Sequence, residues 1–196
     1  MIRTAKAAPR KTVNTARPKI LPAAVEQPGS WHLARTETER RLSEFEFGLE
    51  RLAQAYYRWK AACLAAVCNV PLTGDDVAVL NVVRMGDEPK RLSEIGQLLN
   101  RVDVPNLQYA TRKLVRAGLI ETEGSSSRKE TRYRATATGR SVTEAYAALR
   151  AATLPPMLEA LDGWAPKSET TRMQLELISS LYAQAAQVAI TRRHQP

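Results

Sequence analysis

At 196 residues the chain suits one domain, or one domain with extensions, and is long enough to bury a real core. Its 29 Lys and Arg against 20 Asp and Glu leave a formal net charge of +9 and a sequence pI near 9.9, a field that gathers polyanions, so nucleic acid leads as partner although an anionic membrane surface feels the same potential. The longest wholly apolar run, Ala61 to Cys68, falls far short of the roughly 20 residues that cross a bilayer, and two cysteines, Cys63 and Cys68, exclude a disulfide scaffold and make a reducing cytoplasm the default.

Residues 1–30 are rich in Ala, Pro, Lys and Arg and carry neither a helical nor a strand period, which predicts a disordered basic arm. Arg3, Lys6, Arg10 and Lys11 have no apolar stretch after them, so the start does not read as a secretory signal. With Arg17 and Lys19 also present against the single acid Glu26, the arm can track phosphates without specificity. A solvated tail without a specific role and an Arg-rich, acid-poor transit peptide fit the same composition.

The segment 31–72 is predicted to be an N-terminal dimerisation helix. Leu42, Phe45, Leu49, Leu52, Tyr56, Trp59 and Cys63 step by three and four without a break, the seam of a helix that packs lengthwise on other helices. A compact neighbour cannot cover a stripe of that length alone, so a second subunit or a distant helix is expected. Pro71 marks its end.

Residues 73–140 are predicted to form a winged helix-turn-helix. Thr73-Gly74-Asp75-Asp76 reads as a capping box opening a helix that buries Val77, Leu80 and Val83, and Gly86-Asp87-Glu88-Pro89 breaks it. A second short helix begins near Ser93 and buries Ile95, Leu98 and Leu99, stopping at Asn100. A third begins around Asp103 to Pro105, buries Leu107, Ala110, Thr111 and Leu114, and closes at Gly118. Two alternating segments, Ile120 to Glu123 and Thr131 to Ala135, flank Gly124 to Glu130, which predicts a hairpin with a flexible basic tip.

Residues 141–196 are predicted to supply C-terminal dimerisation helices. Thr138 to Ala152 places Val142, Ala145, Tyr146 and Leu149 on one side, and Leu154-Pro155-Pro156 breaks or kinks that helix. A last helix from about Ser168 to Thr191 buries Ile178, Leu181, Ala185 and Val188. The fold class that results is mainly α with a small β-hairpin.

The third helix carries the chemistry. Asn106, Gln108, Tyr109, Arg112, Lys113 and Arg116 all lie off its buried stripe. Asn and Gln pair with the donor and acceptor of adenine, Arg forks onto guanine, and Lys supplies charge to phosphates, so Asn106, Gln108, Tyr109 and Arg112 are expected nearest the bases of a major groove. A polar helix face taken alone is more often solvated surface; the short helix before it and the hairpin after it favour the reader. At the hairpin tip Arg128 and Lys129 can reach a neighbouring minor groove or its phosphates. Arg132 and Arg134 are expected to pair with Glu121 and Glu123 across the strands instead.

The run Leu92-Ser93-Glu94-Ile95 with Leu98, the stretch Asn106 to Leu114, Ala117-Gly118-Leu119-Ile120, the basic wing and Thr136-Ala137-Thr138-Gly139-Arg140 together resemble the MarR-type winged-helix regulators. Asn106-Leu107-Gln108-Tyr109-Ala110 is similar to an LdtR-like branch of that family. The resemblance implies a homodimer joined by N- and C-terminal helices, bound to a pseudo-palindromic operator on double-stranded DNA, commonly as a repressor released by a small ligand. The chain departs from the family at Ser127, where the wing commonly carries an Asp that orients the basic residues after it.

A small aromatic or anionic effector has its candidate pocket at Tyr56, Tyr57, Arg58 and Trp59, where core packing is the plainer use of Tyr56 and Trp59. Cys63 and Cys68 lie about 140° apart around a helix axis and do not face each other, which favours free or buried thiols over an oxidant sensor. His32 and His194 are the only histidines, no Cys/His cluster has metal-ligand spacing, and Ser125 to Ser127 lack an adjacent His base. These features predict no enzyme, no metal and no cofactor. The reading is a sequence-specific transcription regulator, with a winged-helix module for protein or RNA contact as the alternative.

Overall fold

The computed structural model describes residues 32–124, 131–161 and 163–193, so the arm expected over 1–30 and the wing tip with Arg128 and Lys129 lie outside the described residues. The chain divides into two units, residues 1–47 and 48–196. In the first, the Thr36 hydroxyl accepts from the Glu39 N–H, while the Glu39 carboxylate accepts from the N–H groups of Arg35 and Thr36, the reciprocal pattern of a capping box. It opens helix α1, Glu37–Ala65. Hydrogen bonds from Arg40 and then Arg41 hold the exposed Glu37 carboxyl down to about 2.

In the second unit the elements follow in the order α2 (Gly74–Arg84), a single 3-10 turn (Met85–Asp87), β1 (Lys90–Arg91), α3 (Leu92–Leu98), α4 (Val104–Arg116), β2 (Ile120–Glu123), β3 (Arg132–Ala135), α5 (Ala137–Glu159) and α6 (Trp164–Arg193). The three strands form one antiparallel sheet in the order β1-β3-β2. Glu121 pairs with Arg134 and Glu123 with Arg132, while Lys90 pairs with Tyr133. The expected hairpin is therefore joined by a third strand. Two residues are too short to show a period, so β1 is specified by its partner rather than by its own pattern.

Local chemistry sets the ends of each helix. Thr73 caps α2 in a full capping box with Asp76. At that same point Gly74 is required sterically, because a Cβ there would lie 2.5 Å from the Tyr57 carbonyl oxygen of α1. Asn100, with φ of 52°, turns the chain between α3 and α4. Gly118 ends α4 with φ of 68°. Its N–H reaches the Val115 carbonyl and the next N–H, of Leu119, reaches Leu114, the bonds of a Schellman motif. Thr136 then donates to the Gly118 carbonyl at 2.6 Å and accepts from the Gly139 N–H, so one side chain joins the end of α4 to the start of α5.

The core gathers Val77, Leu80 and Val83 of α2, Ile95 of α3, Leu107, Ala110 and Leu114 of α4, Leu119, Ile120, and Tyr146 of α5, with Leu64 and Cys63 from the end of α1. Burying side chains of this kind contributes about 1.5–3 kcal/mol each. Trp59 packs edge-on against Tyr146, ring centroids 6.2 Å apart. Three expectations need correction. Leu98 is exposed because α3 is only two turns long and Ile95 with Gly96 takes the inward face. Pro155 and Pro156 do not break α5, which continues to Glu159; their fixed φ suits a helix, at the cost of the bond each missing N–H would donate and of crowding between each ring and the carbonyl four residues earlier. Leu181, Ala185 and Val188 of α6 are exposed within a single chain. Among the described residues no helix is long and apolar enough to cross a membrane.

Candidate nucleic-acid interface

Leu107, Ala110, Thr111 and Leu114 point α4 into the core, and the Thr111 hydroxyl is satisfied by the Leu107 and Gln108 carbonyls. That anchoring turns the opposite face outward. Asn106, Tyr109, Arg112 and Arg116 are exposed there, Tyr109 to 62 %, and Gln108 is half-buried at its edge. The face presents amide, phenol and guanidinium groups on one rigid rod of 13 residues, the width and chemistry that a major groove accepts.

Lys113 is arranged differently from its neighbours. Its ammonium donates to the Asp76 carboxylate of α2 at 2.7 Å, and only 5 % of the Asp76 side chain is exposed. The expected phosphate-facing lysine is thus held against the scaffold.

The start of α4 is tied down by a second set of charges. Arg101 donates to Asp103 at 2.9 and 2.6 Å and reaches Asp75 at 3.3 Å. Hydrogen bonds first from Arg101 and then from Asn106, with the Arg101 charge adding to them, hold the Asp103 carboxyl well below the ordinary carboxylate range. Sequence reasoning passed over Arg101 because its partners combine a neighbour with an acid 26 residues away. It also passed over Val102 and Val104, exposed to 93 % and 49 % at the entry to α4. Two apolar side chains left in water beside the polar face of α4 are a signal, since such groups can meet a thymine methyl.

On the sheet, Arg134 donates to Glu121 at 2.7 Å and lies 4.0 Å from Glu123. Arg132 instead donates to the Pro89 carbonyl at 3.2 Å, which ties the strand to the segment before β1. Both guanidinium groups are engaged with protein.

The four aromatic-segment residues of α1 separate onto two sides. Tyr56 and Trp59 line an open cavity of about 460 Å³ with Asn81, Arg84, Tyr146 and Arg150. Arg84 contacts Asp87 at 2.5 Å and Glu144 at 3.5 Å, and its buried Nε has no hydrogen-bond partner among the described residues. Burial, followed by the charges of Cys63 and Tyr56, raises the Tyr146 phenol above its ordinary value. Tyr57 lies instead against Gly74, with the Lys60 ammonium 3.9 Å from its ring, and Arg58 is exposed. Cys63 is buried, donates weakly to the Tyr146 carbonyl at 3.9 Å, and burial raises its thiol pKa. Cys68 is half-buried.

A family model described as a winged helix DNA-binding domain matches residues 72–139. No curated protein matches the chain. Among solved structures the chain is similar to AbfR of Staphylococcus epidermidis, with 18 % identity and a TM-score of 0.59 over 76 % of this chain and 96 % of that one. Reduced AbfR bound to DNA aligns with a TM-score of 0.62 and 18 % identity over 78 % and 99 %. A MarR family transcriptional regulator from Streptomyces coelicolor aligns with a TM-score of 0.56 and 19 % identity over 71 % and 95 %. Residues 72–139 accordingly match a winged helix DNA-binding domain, and the chain shares its fold with solved structures that include a MarR family transcriptional regulator.

Proposed function

We propose that the protein is a sequence-specific transcription regulator that binds double-stranded DNA as a homodimer. The observation that carries the reading is α4, anchored by a buried apolar stripe and offering Asn106, Gln108, Tyr109 and Arg112 outward inside a matched winged helix domain. In this reading those four side chains meet base edges, Arg116 meets a phosphate, and Arg128 and Lys129 of the wing reach the flanking groove. The exposed apolar residues of α1 and α6 join two copies, so that two reader helices address the halves of a pseudo-palindromic operator. The DNA-bound structure of AbfR, alike in fold, supports the same mode of use.

The cavity beside Tyr56, Trp59, Arg84 and Arg150 is the proposed effector site. Aromatic walls and the guanidinium groups of Arg84 and Arg150 suit a small aromatic anion whose binding releases the DNA.

Selection of bound fragments from genomic DNA, followed by sequencing, tests the function. A regulator of this kind binds the selected duplex tighter than random DNA by about 10³ or more. Arg112→Ala is then expected to cost about 1–3 kcal/mol on that duplex and little on random sequence. No enrichment, or equal losses on both duplexes, would leave a winged helix serving protein or RNA contact.

A further inference from the structure

Asp76, at the start of α2, is placed where it governs the charge that the reader helix shows. Asp76 is nearly buried, and one of its carboxylate oxygens accepts from the Thr73 N–H at 2.9 Å, the Thr73 hydroxyl at 3.0 Å and the Lys113 ammonium at 2.7 Å. Lys113 follows Arg112, which is exposed on the polar face of α4, and its side chain retains 28 % exposure. It therefore stands at the border between scaffold and reader. Two destinations compete for its ammonium: the Asp76 carboxylate, or a phosphate outside. Moving to the phosphate would leave the buried carboxylate without its cation, which is the costly way to break such a pair, whereas a phosphate in solvent is already served by mobile counterions. The buried acid wins.

We propose that Asp76 is a positioning residue for DNA specificity: it keeps the Lys113 ammonium off the phosphate backbone, so that α4 grips random sequence less tightly while its base-reaching side chains stay in place. The inference rests on the reading of α4 as the DNA-contacting helix. One withheld cation is one counterion fewer released on binding. Each such contact changes the slope of log K against log salt by about 0.9, and near 0.1 M salt it changes sequence-independent affinity by about eightfold.

The full-length chain would be titrated with a random-sequence duplex from low to moderate salt as wild type, Asp76→Asn, Lys113→Met, the double variant and Arg112→Ala/Arg116→Ala. Asp76→Asn frees the lysine and is expected to steepen the slope by about 0.9 and to raise affinity for random duplex about eightfold near 0.1 M salt. Lys113→Met is expected to leave the wild-type slope unchanged, and the double variant to match it. A general loss of structure would weaken binding rather than steepen its salt dependence. Should Asp76→Asn fail to fold, Lys113→Met still decides, because a slope flattened by about 0.9 would show the lysine already on a phosphate and overturn the proposal. Arg112→Ala/Arg116→Ala separates the two failures. If stripping those arginines leaves the slope untouched, α4 does not meet DNA and the inference falls with that reading; if it flattens the slope and Lys113→Met does so too, the inference falls alone.

Discussion

Helices α4 and α6 both repeat apolar residues at helical spacing, yet only in α4 is that stripe covered by its own chain. Leu107 and Leu114 of α4 are 2 % and 0 % exposed, whereas Leu177, Leu181 and Val188 of α6 are 62 %, 54 % and 53 % exposed. From Leu177 to Thr191 α6 carries no charged residue at all. A single apolar stripe opposite a charged face can be satisfied within one domain; an uncharged stretch of four turns cannot be satisfied by water. The first pattern builds a domain and the second calls for a partner. That contrast supports the proposed homodimer, in which α6 acquires the cover that α4 finds at home.

The largest expected effect breaks the covered side. Leu114→Ala removes a fully buried side chain at the junction of α2, α4 and β2 and is expected to cost about 2–5 kcal/mol, measured by urea denaturation. The change in midpoint should not depend on protein concentration, because the lost contacts lie within one chain. A loss below about 1 kcal/mol would mean that α4 is not set by this core.

The uncovered side is expected to respond in the opposite manner. Under the homodimer reading, Leu181→Glu places a charge in the contact between copies and costs about 2–4 kcal/mol of association. Sedimentation velocity over a concentration series should show the variant dissociating where the wild type stays assembled, with far-ultraviolet circular dichroism little changed. Identical assembly of the two proteins would remove this part of α6 from any interface.

How far each region was legible follows from the distance over which its structure is decided. The ends of α4 could be read because Pro105 and Gly118 act on their own turns, and its buried stripe could be read because Leu107, Ala110, Thr111 and Leu114 recur with the helical period. The same period marks Leu181 and Val188 as apolar but says nothing of whose surface covers them. β1 was hidden because its two residues become a strand only by pairing with β3, about 40 residues on. The Lys113–Asp76 pair, 37 residues apart, was hidden for the same reason. Tyr56 and Tyr57 are adjacent, yet about 100° of helical rotation sends one to a cavity wall and the other against Gly74. A run of aromatic residues could suggest a pocket without telling which of them line it.

The smallest expected effect sharpens the comparison from α1, where Lys60 belongs to the covered side although its side chain is charged. Lys60 is buried, with its ammonium 4.4 Å from the Tyr56 ring and 3.9 Å from the Tyr57 ring, and burial pushes its pKa below the ordinary lysine value while Asp75 partly opposes the shift. The folded protein therefore holds this proton less tightly than the unfolded chain. Between the lowered value and the unfolded value of about 10.4 the unfolded state binds more protons, so the Lys60 contribution to stability rises with pH across that window and is lost again as pH falls through the folded value. Tyr57, Tyr146 and Cys63, all raised by burial, act in the opposite direction over the same alkaline range. Only a difference isolates the lysine. Lys60→Met keeps the apolar stem and removes the titrating group, so wild-type stability minus variant stability, from urea midpoints between pH 8 and 10.5, is expected to climb with pH. Parallel curves would show that the two tyrosine rings stabilise the ammonium enough to offset its burial.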